Sequence, residues 1–127
     1  MSRRRTPTRK RVSSAQVDTP IACDPAATVV SQHAVHRARE RCAAFRGRDD
    51  DTVRAEVIRR LVEAVRKGQV YTNPPRQFRP RYVGPHTNGL PPWQRYVVSG
   101  EVGFVVDVTM QPTLTVVTVF QRLRDNA

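Results

Sequence analysis

The chain has 127 residues, of which 22 are Lys or Arg and 11 are Asp or Glu, for a formal net charge of +11. That length fits one domain with a single hydrophobic core, and no apolar run approaches the roughly 20 residues needed to span a bilayer. The charge points to an anionic partner, nucleic acid before acidic lipid, because cationic side chains gain affinity by displacing counterions from phosphates.

Residues 1 to about 27 carry Arg3-Arg4-Arg5 and Arg9-Lys10-Arg11, are broken by Pro7, Pro20 and Pro25, and show no apolar period. They read as a disordered basic arm ahead of a single domain over residues 28–127. Such an arm serves nonspecific attachment to nucleic acid or acts as a solubilising or localising tail, and its composition suits both. Only Lys10 and Lys67 are lysines. The arginine bias suits bidentate phosphate contacts, and a GC-rich coding genome would produce it equally. The start lacks the apolar core of a secretory signal, so a cytoplasmic protein is expected.

Ser31 is a suitable N-cap for a first helix running to about Phe45 and stopping at Arg46-Gly47. Helical spacing stacks His33, Arg37 and Arg41 in an i, i+4, i+8 column with His36 and Glu40 beside it. Ala34, Ala38, Cys42 and Phe45 then form the apolar face. The column pairs side chains that exchange protons near neutral pH with planar donors matched to phosphate oxygens; the plain alternative is the solvated face of an amphipathic helix. A second helix follows. Asp49-Asp50-Asp51 suits its positive end, Arg66-Lys67 and Gly68 suit its close, and Val53, Val57, Leu61, Ala64 and Val65 form its apolar stripe.

Residues 73–92 are rich in proline and glycine, with Arg76, Arg79 and Arg81 interleaved with Phe78 and Tyr82, and with His86 in the same loop. Basic and aromatic residues on an extended loop can hold a single-stranded backbone, or the aromatics can simply pin the loop to the core. The last third reads as an antiparallel meander with strands at 93–99, 102–109 and 114–121, the short joins allowing hairpins only. Alternation puts Val102, Phe104, Val106 and Val108 on one face. The nearly unbroken apolar run from Leu114 to Phe120 suggests a central strand covered on both faces. The expected fold is α+β: two N-terminal helices on a three- to four-stranded antiparallel sheet. Cys23 and Cys42 are too few and too far apart for a metal set; no metal or cofactor is expected, and the two thiols are expected to stay reduced.

The helix motif His33-Ala34-Val35-His36-Arg37-Ala38-Arg39-Glu40-Arg41 and the strand motif Val116-Val117-Thr118-Val119-Phe120, in this order of elements, resemble the barnase/EndoU/colicin/RelE-like superfamily of small ribonucleases and toxins, especially its phage-linked members. The resemblance covers roughly residues 28–124. It implies metal-independent RNA cleavage, with His33, Arg37 and Thr118 at the site and an antitoxin or immunity protein as a partner.

The chemistry is self-consistent. A base removes the 2′-hydroxyl proton, the oxygen attacks phosphorus, guanidiniums hold the developing charge, and an acid protonates the leaving oxygen. His33 and His36 are the candidate base and acid, Arg37 and Arg95 the phosphate clamps, Tyr96 and Thr118 the positioning groups. Arg41, Arg76, Arg79 and Arg81 are candidate RNA-binding residues. Catalysis would require these side chains to converge. The sequence has no compelling lysine near the sheet, and the basic arm lies outside the common toxin pattern. A nonenzymatic nucleic-acid-binding regulator is the alternative reading, followed by a virion or host-interaction protein.

Overall fold

The computed structural model describes residues 15–16, 21–78 and 89–123. The arginine runs of the arm, and Arg79, Arg81, Tyr82 and His86, lie outside the described residues. Strands Val29–Val30 (β1), Val70–Tyr71 (β2), Gln94–Ser99 (β3), Val102–Asp107 (β4) and Thr115–Gln121 (β5) form one sheet in the order β1-β5-β4-β3-β2. Helices Gln32–Arg41 (α1) and Asp50–Arg66 (α2) pack against it. The α+β class is as expected, whereas the sheet is larger and mixed: β1 joins β5 in parallel, and β2 extends the antiparallel meander beyond β3. Each added strand has two residues, too few to carry a period of two. They arise from pairing, with the amides of Val29 and Ser31 donating to the carbonyls of Leu114 and Val116 at 2.9 and 3.1 Å.

Ser31 caps α1 by accepting from the Ala34 amide at 3.0 Å. The helix ends at Arg41 rather than near Phe45, because Cys42 turns extended (φ −119°, ψ 122°) before a 3₁₀ turn at Ala43–Phe45. The turn still delivers Phe45 to the core, so the apolar face continues past the helix that began it. Asp49 caps α2 through the Thr52 amide at 2.8 Å. At the other end Gly68, at φ +74°, lets the Gly68 and Gln69 amides turn back to Val65 and Ala64, the αL closure that favours glycine.

The main core lies between helices and sheet. Ala34, Val35, Ala38 and Cys42 of the first helical segment meet Val53, Val57, Leu61 and Ala64 of α2 over Val102, Phe104, Val106, Val116 and Val119. A second cluster fills the opposite face: Phe78, Tyr96 and Val105, flanked by Tyr71, Leu90, Val98, Val117 and Phe120. The strand β4 therefore alternates as its pattern dictates, and β5 is apolar on both faces for the reason its unbroken run suggests. A bulge in β5 leaves Val105 opposite Thr118 and Val106 opposite Val116. It allows Val116 and Val119, three residues apart, to serve the same core.

Residues 21–27, read from the sequence as the end of the arm, are held against the domain. Ile21 is buried in the main core, Thr28 is buried with its hydroxyl donating to the Asp24 carbonyl at 2.7 Å, and the Asp24 amide donates to the Pro112 carbonyl at 2.8 Å. Further upstream, Gln16 bridges antiparallel to Tyr71 and its side-chain amide donates to the Gly68 carbonyl. A single isoleucine between prolines has no periodic neighbours to reveal it. Among the described residues, no helix is long and apolar enough to cross a membrane.

Candidate functional site

Because β1 is so short, β5 beyond Val116 has no strand on its outer side among the described residues, and α1 lies along that edge. The Ser31 hydroxyl donates to the Val117 carbonyl at 3.3 Å, and Arg41 Nη1 donates to the Val119 carbonyl at 3.1 Å. Both contacts satisfy edge acceptors that would otherwise invite another strand. Arg41 also lies 4.5 Å above the Phe120 ring, which stacks in turn on Tyr96. Backbone carbonyl and aromatic face together hold the guanidinium in one orientation.

That orientation matters because Arg41 forms part of the wall of an open cleft of about 1230 Å³. One wall is the end of α1 and the following 3₁₀ turn, with Arg41, Ala43 and Arg46. The other combines the 3₁₀ turn Arg76–Phe78, the β3–β4 turn and the end of β5, with Arg76, Gln77, Glu101 and Arg122. The second wall is tied together by its backbone: the Arg122 amide donates to the Glu101 carbonyl at 2.8 Å, and the Leu123 amide to the Gln77 carbonyl at 2.6 Å. Four arginines and one glutamate thus line the cleft. Glu101 lies 3.8 Å from Arg122, both well exposed, while the side chains of Arg46 and Arg76 make no hydrogen bond or ion pair among the described residues. A concavity with this imbalance attracts anions and focuses the field on what enters it.

The expected catalytic set does not converge here. His33 and His36 are exposed on α1, His36 facing Glu40 at 3.4 Å. Arg37 is half-exposed and gives Nη1 to the same Glu40 at 2.5 Å, a bond that holds the Glu40 carboxyl below the usual carboxylate range. Thr118 is half-buried opposite Val105, which puts it on the sheet face that turns away from α1.

Arg95 and Tyr96 are successive strand residues and point to opposite faces, so one pocket cannot use both side chains. Arg95 sits opposite Val106 and folds back onto its own backbone, donating to the carbonyls of Pro92 and Gln94 at 2.7 and 2.8 Å. Tyr96 is fully buried between Phe78 and Phe120, its hydroxyl has no partner among the described residues, and burial pushes its pKa far up. It packs the second core.

Of the residues singled out from sequence, Arg41 and Arg76 line the cleft. Arg46 and Arg122 join them without having been anticipated. Arg46 carried only the signal of a helix stop, and Arg122 only that of a strand end. Among the described residues no group of His, Cys, Asp and Glu could hold a metal ion. Cys42 is buried and Cys23 half-buried, both as free thiols.

Comparison with known proteins finds no matching family model, no matching curated protein and no matching solved structure. The likeness to the small-ribonuclease superfamily therefore rests on the two motifs His33–Arg41 and Val116–Phe120.

Proposed function

We propose that this protein binds single-stranded nucleic acid through the arginine cleft, without acting on it chemically. The observation that carries the reading is the cleft itself, which Arg41, Arg46, Arg76 and Arg122 line from four separate segments, with Glu101 as its one acidic residue. Planar guanidiniums match phosphate oxygens in pairs. A concave seat receives a flexible strand that bends into it, whereas reading a duplex calls for an element that projects into a groove. The ribonuclease reading has less support, because it needs an acid or base beside the phosphate clamp and no histidine among the described residues lines the cleft.

The test is fluorescence anisotropy with a labelled 12-nucleotide RNA and the DNA of the same sequence, in EDTA, across a salt series. Four phosphate contacts predict a slope of log affinity against log salt of about −2.8 from the cleft, and each Arg→Gln substitution at Arg41, Arg46, Arg76 or Arg122 should reduce it by about 0.7. Unchanged affinity and slope in those variants would remove the proposal. Gel analysis of the same RNA samples should show intact strands. Cleavage to cyclic phosphate ends, abolished by His33→Ala, would restore the ribonuclease reading.

A further inference from the structure

Resting on that reading, we infer that a bound strand leaves the cleft along α1, with successive phosphates passing Arg41, Arg37 and His33. These residues stand four apart on one helix, so each step advances about 6 Å along the axis, comparable with one unstacked sugar-phosphate repeat. Four residues also turn the direction by about 40° at 3.6 residues per turn, so the track swings gradually outward. The exposures follow that swing: Arg41 and Arg37 are half-buried and His33 is exposed.

Arg41 is fixed at the mouth by the Val119 carbonyl and the Phe120 ring, while His33 has no partner among the described residues. The other flank of α1 is committed elsewhere, since Arg39 gives its Nη1 to Asp50 at 2.5 Å and to the Arg48 carbonyl at 3.2 Å. One flank of the helix thus braces α2, while the other meets no α2 residue: among the described residues Arg37 pairs only with Glu40 of its own helix, and His33 is exposed.

Glu40 gives the track its sign test. Its carboxylate occupies Nη1 of Arg37 and faces His36, so it opposes a phosphate at that turn. Removing it should tighten binding of a strand long enough to reach Arg37, an effect that a purely structural role for these side chains would not produce.

The experiment compares a tetranucleotide, which fills the cleft, with a 12-nucleotide RNA at low salt. The double variant His33→Gln with Arg37→Gln should leave the tetranucleotide Kd within about twofold and weaken the 12-mer about five- to tenfold. Glu40→Gln should strengthen the 12-mer about threefold and leave the tetranucleotide unchanged. Arg59→Gln, an equal loss of charge at an exposed position on α2, should change neither.

Equal weakening of both lengths by the double variant, or no effect on the 12-mer, would overturn the track. Failure of Arg41→Gln and Arg122→Gln to weaken the tetranucleotide would instead overturn the cleft reading on which it rests. Circular dichroism of each variant confirms that α1 is retained, so that a loss of affinity reports on the contact.

Discussion

Replacing Tyr96 by Phe removes one oxygen atom from a fully buried aromatic ring. The ring is fully buried, 5.5 Å from Phe78 and 6.2 Å from Phe120 between centroids, and its hydroxyl has no partner among the described residues. A buried polar group left without a hydrogen bond costs about 1–3 kcal/mol relative to its hydrated state. Tyr96→Phe keeps the ring contacts and removes that cost, so it should stabilise the fold by about 1 kcal/mol, or about 3–5 °C in Tm for a domain of this size.

Ionisation supplies a second readout. Burial raises the folded-state pKa of Tyr96 above the unfolded value near 10, so the folded state holds its proton where the unfolded state releases it. This contribution is fully present below about pH 10 and falls by about 1.4 kcal/mol per pH unit above it. The advantage of Tyr96→Phe should therefore widen from pH 9 to pH 11. Urea denaturation at pH 7, 9, 10 and 11 measures both effects, and anisotropy with the 12-nucleotide RNA should show unchanged affinity. Destabilisation by more than 1 kcal/mol would mean the hydroxyl has a partner; a loss of RNA binding at full stability would return Tyr96 to the functional site.

Gly103 lies beneath the same ring, where an added Cβ would stand 2.5 and 2.6 Å from Cε2 and Cζ of Tyr96. Gly103→Ala should cost about 3 kcal/mol through overpacking, and a urea midpoint close to wild type would refute that packing. Burial pushes the Cys42 thiol up to about 11 and also raises that of half-buried Cys23. Iodoacetamide at pH 8 should leave Cys42 unlabelled in the native protein, label Cys23 slowly, and modify both in guanidinium; mass spectrometry showing native labelling of Cys42 would contradict its burial.

The sequence by itself determined those features whose cause is local. Ser31 and Asp49 mark helix starts because their side chains cap amides three residues on, and Gly68 marks an end because the closing turn needs positive φ. The apolar period of α2 and the alternation of β4 located the main core, since a period reports which face is buried without knowing against what. Alternation also held a warning about the candidate site, because adjacent Arg95 and Tyr96 must face opposite ways along a strand.

Tertiary structure decided the rest. The strands β1 and β2 exist only through the partners that complete their hydrogen bonds, and no two-residue stretch encodes that in its own pattern. The cleft is of the same kind. Arg41, Arg46, Arg76 and Arg122 come from a helix end, a turn, a 3₁₀ segment and a strand end, and folding brings them to the lining of one cleft. A guanidinium on a loop has no period to betray it, and its field depends on which other charges the chain places beside it. The helix column drew attention for His33 and for His36 beside it, whereas the fold turned another member of that column, Arg41, into the link between helix and cleft.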